Sequence, residues 1–234
     1  RLPTRPANSH KGTFGRTMVV AGSRNYLGAA YLAATSATRV GSGLVTLAIP
    51  ESLRTAVAAK AIEPTFLPLP ESAPGIVSPD AVDLVFESLP AYNSLLVGCG
   101  MGQEKDTKRF IERLLLSGRT LPPTVVDADG LNTLSQVDDW WTRLADNAIL
   151  TPHPGEMGRL TGNSSRNQDR ITAATSAASR WNKTVILKGA YTVIGFPDGR
   201  AMVSSLSNPG LATAGTGDVL AGAIAGLVSQ GLSL

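Results

Sequence analysis

The sequence is poor in cysteine, in aromatic residues and in charge, and each shortage excludes a class of protein. A single cysteine, Cys99, permits no internal disulfide and no cage of thiolates around a metal, which is typical of a reducing compartment. Charged residues make up 17% of the chain and the net charge is only +3, without the basic stripe of a nucleic-acid binder. No apolar run reaches the length of a membrane-spanning helix. We therefore expect a cytoplasmic chain that binds neither nucleic acid nor a membrane.

The composition that remains is that of a globular enzyme-sized domain. Hydrophobic residues make up 43% of the 234 residues, so a core large enough to fold without disulfides is expected. Residues 1–12 hold two prolines and no apolar period, and we interpret them as an N-terminal arm or linker. No linker or internal repeat divides the rest, so we predict a single domain over residues 13–234. Because the sequence stops inside an apolar helical pattern, we expect this domain to continue beyond Leu234.

Short apolar strands alternate with longer helical patterns along the chain, which is the signature of a parallel sheet. The strands are predicted over residues 17–20, 44–49, 94–97, 124–126, 148–150 and 184–188. The helices are predicted over residues 28–40, 51–61, 78–89, 104–116, 169–181 and 215–229. An antiparallel hairpin is predicted from residues 191–196 and 201–204. The continuously apolar strands indicate a sheet covered on both faces, so the predicted fold is a three-layer α/β/α sandwich.

The most informative motif is Asn208-Pro-Gly-Leu-Ala-Thr-Ala-Gly-Thr-Gly-Asp218, which leads into the last predicted helix. Its glycines permit close backbone approach, and the free N–H groups at a helix start attract anions. A carboxylate at Asp218 could take a proton from a hydroxyl that attacks a phosphoryl group. The alternative is a glycine-rich turn in which Asp218 only caps the helix.

Two further motifs follow predicted strands. In Thr151-Pro-His-Pro-Gly-Glu156, prolines fix the backbone around His153, which could face a ligand or be merely structural. Glu156 could equally be an acid in the first turn of a helix, where it is favourable to the helix dipole. Lys188 ends a predicted buried strand, where burial of a lysine costs free energy unless the side chain is paired or faces a ligand such as phosphate. The alternative is a lysine at the edge of the sheet whose side chain extends to solvent.

Two more strand ends carry glycines or acids. Gly98, Gly100 and Gly102 form a turn in which the backbone could contact a ligand, although their spacing is not that of a dinucleotide-binding fingerprint. Cys99 within this turn has no evident basic neighbour, which disfavours a nucleophile. Asp127 and Asp129 could hold Mg²⁺ or its water shell, or simply cap the next helix.

Taken together, these motifs resemble the ADP- or ATP-dependent NAD(P)H-hydrate dehydratases, a branch of the ribokinase-like superfamily. The motifs at residues 151–156 and 208–218 are specific to this branch. The matching stretches appear in family order and cover nearly the whole chain: residues 11–15, 21–23, 28–30, 41–45, 98–102, 126–129 with Asn132, 151–156, 188–189 with Thr192, and 208–218.

The resemblance implies a ribokinase-like sandwich without a lid domain and a reaction on hydrated NADH or NADPH. ADP or ATP would phosphorylate the hydroxyl on the hydrated ring, and elimination of phosphate would restore the dihydronicotinamide. Asp218 would be the catalytic base and would contact the substrate. The rest of the substrate side would be Ala29, Ala30, Gly100 and His153. The nucleotide side would be Lys188, Gly189, Ala190, Tyr191, Thr192, Ala214, Gly215, Thr216 and Gly217.

The same resemblance implies further partners and leaves alternatives open. Mg²⁺ would bridge the nucleotide phosphates, and no protein residue is predicted as its ligand. Family chains often form homotetramers, and bacterial members often carry an epimerase domain upstream. One alternative is a kinase of a vitamin precursor or a sugar on the same fold. Another is a nucleotide-binding regulator without activity, although such proteins tend to lose the catalytic acid that Asp218 represents.

Overall fold

A computed structural model describes residues 4–162 and 169–232 of the chain. The strands are β1 (Arg16–Val20), β2 (Leu44–Pro50), β3 (Thr65–Leu69), β4 (Glu71–Ala73), β5 (Ile76–Val77), β6 (Ser94–Val97), β7 (Thr124–Val126), β8 (Ala148–Leu150), β9 (Thr184–Leu187), β10 (Val193–Gly195) and β11 (Ala201–Val203). The helices are α1 (Leu27–Arg39), α2 (Arg54–Ala58), α3 (Ala81–Ser88), α4 (Lys105–Leu116), α5 (Ala128–Leu134), α6 (Trp140–Arg143), α7 (Pro154–Thr161), α8 (Arg170–Trp181) and α9 (Thr216–Ser229).

Nine of the strands form one sheet, in the order β11-β10-β9-β8-β7-β6-β1-β2-β3. The seven strands from β9 to β3 in that order are parallel, whereas β10 and β11 run antiparallel at one edge. The predicted parallel sheet with an antiparallel edge hairpin is therefore confirmed. Because β7, β8 and β9 are neighbours, the residues that follow them lie side by side at one edge of the sheet.

Helices cover both faces of the sheet, as the apolar strands indicated. Successive strand residues point to opposite faces, so Met18 and Val20 belong to one core and Val19 and Ala21 to the other. The first core is covered by α3 to α8, and the second by α1, α2 and α9. The three-layer sandwich is thereby confirmed.

Helices α1 and α9 approach closely because small residues line their contact. A methyl group added at Gly222 would lie 2.1 Å from the backbone oxygen of Ala33, and one at Gly226 would lie 2.6 Å from that of Ala37. Neither position has room for a larger side chain. This close packing fixes α9 against the sheet and so fixes the place where its first turn lies.

The region between β2 and α3 differs from the prediction. The helix predicted over residues 51–61 is a short turn of 3-10 helix over Glu51–Leu53 followed by α2, and β3 then adds an unpredicted strand. Pro68 argued against a strand in the sequence, because proline lacks an N–H and is tolerated in a sheet mainly at an edge. In the structure β3 is an edge strand. Only the β4–β5 hairpin follows, so the described residues contain no lid domain.

Part of the predicted N-terminal arm packs on the domain. The Arg5 guanidinium lies 3.6 Å from the centre of the Phe14 ring and donates hydrogen bonds to the Gly41 oxygen and to Gln230 Oε1. His10 caps a turn of 3-10 helix over Lys11–Phe14. The domain boundary stays a prediction, and residues 1–3 of the arm lie outside the described residues.

Candidate active site at the carboxyl ends of the strands

Three neighbouring strands each deliver a polar side chain to one point. Asp127 follows β7, Thr151 follows β8 and Lys188 follows β9. The Lys188 Nζ lies 2.6 Å from Asp127 Oδ1, and the Thr151 hydroxyl donates to the same oxygen at 2.7 Å. Parallel pairing of the three strands produces this meeting.

Lys188 lies between two acids. Besides Asp127, its Nζ lies 3.8 Å from Glu156 Oε2. The side chains of Asp127 and Glu156 are 2% and 5% exposed, and that of Lys188 is 17% exposed. A buried charge is tolerated when it is paired. These two acids therefore explain how a lysine can end a buried strand, and its partial exposure leaves the ammonium accessible from one side. Burial raises the pKa of Glu156, while Lys188 and the His153 backbone oppose that shift.

His153 and Glu156 begin helix α7 together. His153 Nδ1 accepts hydrogen bonds from the backbone N–H groups of Gly155 and Glu156, and Glu156 Oε2 accepts one from the His153 backbone at 2.7 Å. The His153 side chain is half exposed. Its structural role as a helix cap is therefore present. Its other ring nitrogen, Nε2, lies 3.4 Å from Glu156 Oε1, and its contact with a substrate stays a prediction.

Asp218 lies in the first turn of α9, beside Asp127 and Cys99. Single ligand atoms of these three residues lie within 4.8 Å of one another. Burial is the main cause that raises the pKa of Asp218, and the negative charge of Asp127 adds to it, while the Cys99 thiol and Lys188 oppose it. A raised pKa makes Asp218 a stronger base once it is ionised. We refer to Asp127, Glu156, Lys188 and Asp218 as the charged cluster.

The glycine-rich turn brings the start of α9 over the charged cluster. Gly215 precedes the helix with a φ of 90°, which favours glycine. A methyl group added at Gly217 would lie 3.5 Å from Lys188 Nζ and 3.8 Å from Asp127 Oδ2. The first N–H groups of a helix have no partner within it, so this turn and the Lys188 ammonium together could bind an anion.

The predicted nucleotide residues 189–192 form an exposed turn after β9, which we call the nucleotide loop. Arg170 holds it from α8, because its guanidinium donates to the backbone oxygens of Leu187, Lys188 and Ala190. Tyr191 has a φ of 54° and a side chain that is 55% exposed. The Thr192 hydroxyl donates to the Gly189 oxygen at 3.0 Å. The loop is thus held mainly through its backbone, and the side chains of Ala190 and Tyr191 are exposed.

The predicted substrate residues lie in two places. His153 follows β8, whereas Gly100 follows β6 and lies against α1, the helix that holds Ala29 and Ala30. Gly100 has a φ of 62°, and a methyl group added there would lie 2.6 Å from the Ala29 side chain. Ala29 is half-buried, while the Ala30 side chain is fully buried against the core. Their roles toward a ligand stay predictions, as do those of Ala214, Gly215, Thr216 and Gly217.

The acids at the end of β7 do not cap α5 through their side chains. Asp127 precedes α5 without capping it through its side chain. Asp129 accepts hydrogen bonds from the Gly102 backbone at 2.8 Å and from Gln103, so it holds the neighbouring glycine turn. The Cys99 thiol is buried, and burial with the nearby carboxylates raises its pKa well above the usual value, which makes it a poor nucleophile.

These residues do not form a resident magnesium site. The group that comes closest joins a thiol with two carboxylates, whereas Mg²⁺ prefers oxygen ligands and an octahedral shell. The Lys188 ammonium, itself a cation, lies 2.6 Å from Asp127 Oδ1 and repels a metal ion at this carboxylate. A magnesium ion at this site would therefore arrive with the phosphates of a nucleotide.

Comparison with known proteins identifies the family. The sequence pattern of one family, described as NAD(P)H-hydrate dehydratase, matches residues 17–234. The chain belongs to the NAD(P)H-hydrate dehydratase family. It is 43% identical over 234 residues to the bifunctional NAD(P)H-hydrate repair enzyme Nnr of Moorella thermoacetica, covering 99% of this chain but 44% of that protein. The chain thus spans less than half the length of this curated relative.

Solved structures agree with the family and the fold. The ADP/ATP-dependent NAD(P)H-hydrate dehydratase of Bacillus subtilis, co-crystallised with ATP and Mg²⁺, superposes with a TM-score of 0.77 at 30% identity, covering 97% of this chain and 77% of that one. A ribokinase-like superfamily protein of Enterococcus faecalis superposes with a TM-score of 0.82 at 24% identity, covering 98% and 76% of the two chains. The predicted ribokinase-like fold and the family resemblance are both confirmed.

The structure brings together Lys188, Gly217 and Asp218, which the sequence singled out separately. Thr151 and Glu156 are partners within the same site that received no such role from the sequence. The signal that could have found Thr151 is its place directly after β8, because the residues after neighbouring parallel strands meet at one edge.

Proposed function

We propose that this chain dehydrates hydrated NADH or NADPH at the expense of a nucleoside phosphate. The observation that carries the proposal is the position of Asp218 at the start of α9, beside an anion site formed by that helix and Lys188. A base next to a phosphate site is the arrangement that phosphorylation of a hydroxyl requires. Family membership and the co-crystallised ATP and Mg²⁺ of the Bacillus relative support it further.

In the first step the Asp218 carboxylate accepts the proton of the ring hydroxyl. The hydroxyl oxygen attacks the terminal phosphorus of the nucleotide, and the bond from that phosphorus to the bridging oxygen breaks. The nucleotide leaves with one phosphate fewer. Lys188 and the N–H groups at the start of α9 stabilise the negative charge on the transferred group, which is worth about 10²–10³ in rate per well-placed donor in other enzymes.

In the second step the bond between the ring carbon and the phosphorylated oxygen breaks. Inorganic phosphate leaves with the electron pair, and the neighbouring ring carbon loses a proton to solvent, so the double bond of the dihydronicotinamide is restored. Hydroxide is a poor leaving group and phosphate a good one, which is why the dehydration is coupled to the nucleotide. Mg²⁺ would arrive with the nucleotide and would neutralise part of the charge on its phosphates.

The residue roles follow the two sides of the site. Residues 188–192 and 214–217 hold the nucleotide, and Ala29, Ala30, Gly100 and His153 line the substrate side. We propose ADP or ATP as the phosphate donor. A homo-oligomer is also proposed, because the edge strand β11 exposes Met202 and Val203. Light scattering on the purified chain measures its mass, and a strictly monomeric chain contradicts this assignment.

The deciding experiment follows the return of dihydronicotinamide absorbance. Chemically hydrated NADH is mixed with the protein, Mg²⁺, and ADP or ATP in parallel. Recovery of absorbance with release of one phosphate per turnover supports the proposal. Nucleotide binding without recovery contradicts it and favours a kinase of another small molecule, if a panel of hydroxylated vitamin precursors is phosphorylated, or an inactive regulator, if none is.

The cell compartment and membrane binding are separate expectations. Among the described residues, no helix is both long enough and apolar enough to cross a membrane. The single cysteine, Cys99, is a buried free thiol, as is typical of a reducing compartment. We therefore propose that the chain works in the cytoplasm, on small molecules only.

A further inference from the structure

Asp127 is one of two acids of the charged cluster, with Glu156, that have no place in the proposed chemistry, and it makes the shorter contact with Lys188. Its side chain is 2% exposed, so it does not reach the open side of the site. Its Oδ1 accepts hydrogen bonds from Lys188 at 2.6 Å and from Thr151 at 2.7 Å. Its Oδ2 lies 3.8 Å from the Cys99 sulfur and the same distance from a methyl group added at Gly217. Asp127 therefore lies directly beneath the start of α9.

We propose that Asp127 is a positioning residue, which holds the Lys188 ammonium against the first turn of α9 and keeps a fixed negative charge beside Asp218. This inference rests on the function proposed above, since it assigns a task within that reaction. Asp127 itself touches neither substrate nor nucleotide. It acts through Lys188 on the nucleotide and through Asp218 on the proton.

The first task follows from the chemistry of lysine. Its long side chain has many rotamers, so an ammonium without a fixed partner does not stay at one point. Asp127 and Glu156 hold it from two directions, at 2.6 Å and 3.8 Å. Thr151 in turn fixes the Asp127 carboxylate. A phosphate that enters the site then meets a cation already in place, which lowers the entropy cost of binding.

The second task concerns the proton affinity of the base. The charged or titratable groups that face Asp218 are Asp127, Cys99, Lys188 and Asp129, and burial together with Asp127 raises its pKa. Replacing Asp127 with asparagine removes the like charge and leaves Lys188 free to approach Asp218. Both changes favour the ionised form of Asp218, so they lower its pKa.

The first test compares Asp127→Asn with the wild-type chain. Without its ion pair, Lys188 is no longer held, so we expect the nucleotide KM and the calorimetric Kd for ADP and ATP to rise at least about tenfold. We also expect the acid limb of the pH profile of kcat/KM to move to lower pH. A folded variant with unchanged nucleotide affinity and an unchanged acid limb overturns the inference.

A double-mutant cycle tests whether Asp127 acts through Lys188. Two residues that act through one contact are not additive. In a Lys188→Met background, the further change Asp127→Asn should therefore alter the nucleotide Kd by less than about twofold. Full additivity of the two substitutions means that Asp127 acts by another route and overturns the first task.

Two controls separate positioning from folding. Asp129→Asn removes a nearby charge that holds the Gly102 backbone and not Lys188, so its nucleotide Kd should stay near the wild-type value. Thr151→Val removes one hydrogen bond to Asp127 while keeping the shape of the side chain. If Asp127→Asn does not fold, Thr151→Val decides: we expect its nucleotide Kd to rise about threefold, and an unchanged Kd overturns the inference.

Failure of the proposed function is distinguishable from failure of this inference. Nucleotide calorimetry needs no hydrated substrate. If the wild-type chain does not restore the dihydronicotinamide but Asp127→Asn still weakens nucleotide binding, the proposed function is wrong and the inference about Asp127 stands. A wild-type chain that is active while Asp127→Asn matches it in both readouts disproves the inference alone.

Discussion

The charged cluster and the nucleotide loop lie next to each other but are held in place in different ways. In the cluster, buried side chains hold one another, and Asp127, Lys188 and Glu156 are fixed by contacts shorter than 4 Å. In the loop, Arg170 holds the backbone while the side chains of Ala190 and Tyr191 point outward. The side chains of the cluster are thus positioned before any ligand binds, whereas the nucleotide loop offers an exposed surface to one. Substitutions in the two regions should differ in size and in kind.

The largest effect is expected at Asp218. Asp218→Asn removes the proposed base, so kcat should fall by about 10²–10⁴-fold while ADP and ATP bind nearly as before. The absorbance assay measures the first quantity and calorimetry the second. Turnover close to that of the wild type would exclude Asp218 as the base.

The pKa of Asp218 gives this variant an internal control. Because the folded state raises that pKa, the folded chain binds the proton more tightly than the unfolded chain. The free energy of unfolding therefore falls as pH rises from the unfolded pKa through the raised folded pKa. At neutral pH Asp218→Asn should consequently raise the melting temperature, even as it abolishes activity. A lower melting temperature would point to a structural role instead.

The next largest effect is expected at Lys188, where function and stability change together. Lys188→Ala leaves Asp127 buried without its cation, so we expect a loss of about 2–5 kcal/mol in nucleotide binding. Stability should fall as well, because an unpaired buried charge is costly. The apparent KM for hydrated substrate should change less than that for the nucleotide. Equal losses for both ligands in calorimetry would mean that the lysine is only structural.

Two glycines of α9 separate the site from its support. Gly217→Ala places a methyl group at ordinary contact distance from Lys188, so the fold tolerates it but the anion site is smaller. We expect nucleotide affinity to fall about tenfold with little change in stability. Gly222→Ala clashes with the Ala33 backbone at 2.1 Å and should cost about 1–3 kcal/mol of stability. Urea unfolding and nucleotide titration of both variants provide the comparison, and a reversed pattern contradicts it.

The smallest effect is expected in the nucleotide loop. Tyr191→Ala removes an exposed ring, so nucleotide affinity should fall only about two- to fivefold, the loss of one exposed aromatic contact. Tyr191→Gly removes the same ring but also fits the φ of 54°, so it should be up to about 1 kcal/mol more stable than Tyr191→Ala. Equal stability of the two variants would show that the backbone of this residue is not strained.

The sequence anticipated most of the sheet because its strands are short, continuously apolar and separated by recognisable helices. The prediction was wrong between β2 and α3, where it omitted the edge strand that contains Pro68 and made the helix too long. The short helix α6 was missed, and α5 and α7 were foreseen only as alternatives without bounds, since each has too few turns to show an apolar period. Residue type and motif spacing still located Asp218, Lys188 and His153, because glycine and proline mark such loops regardless of the fold around them.

What the sequence determined by itself is the alternation of strands and helices and the candidate residues at strand ends, because periodicity and turn chemistry are local properties. The tertiary structure alone decided that Asp127, Thr151 and Lys188 meet at one carboxylate oxygen, although 24 to 61 positions separate them along the chain. That meeting depends on β7, β8 and β9 being neighbours and in register. The tertiary structure also decided that Lys188 is paired with Asp127. The cost of burying a charge depends on which partner the fold brings to it.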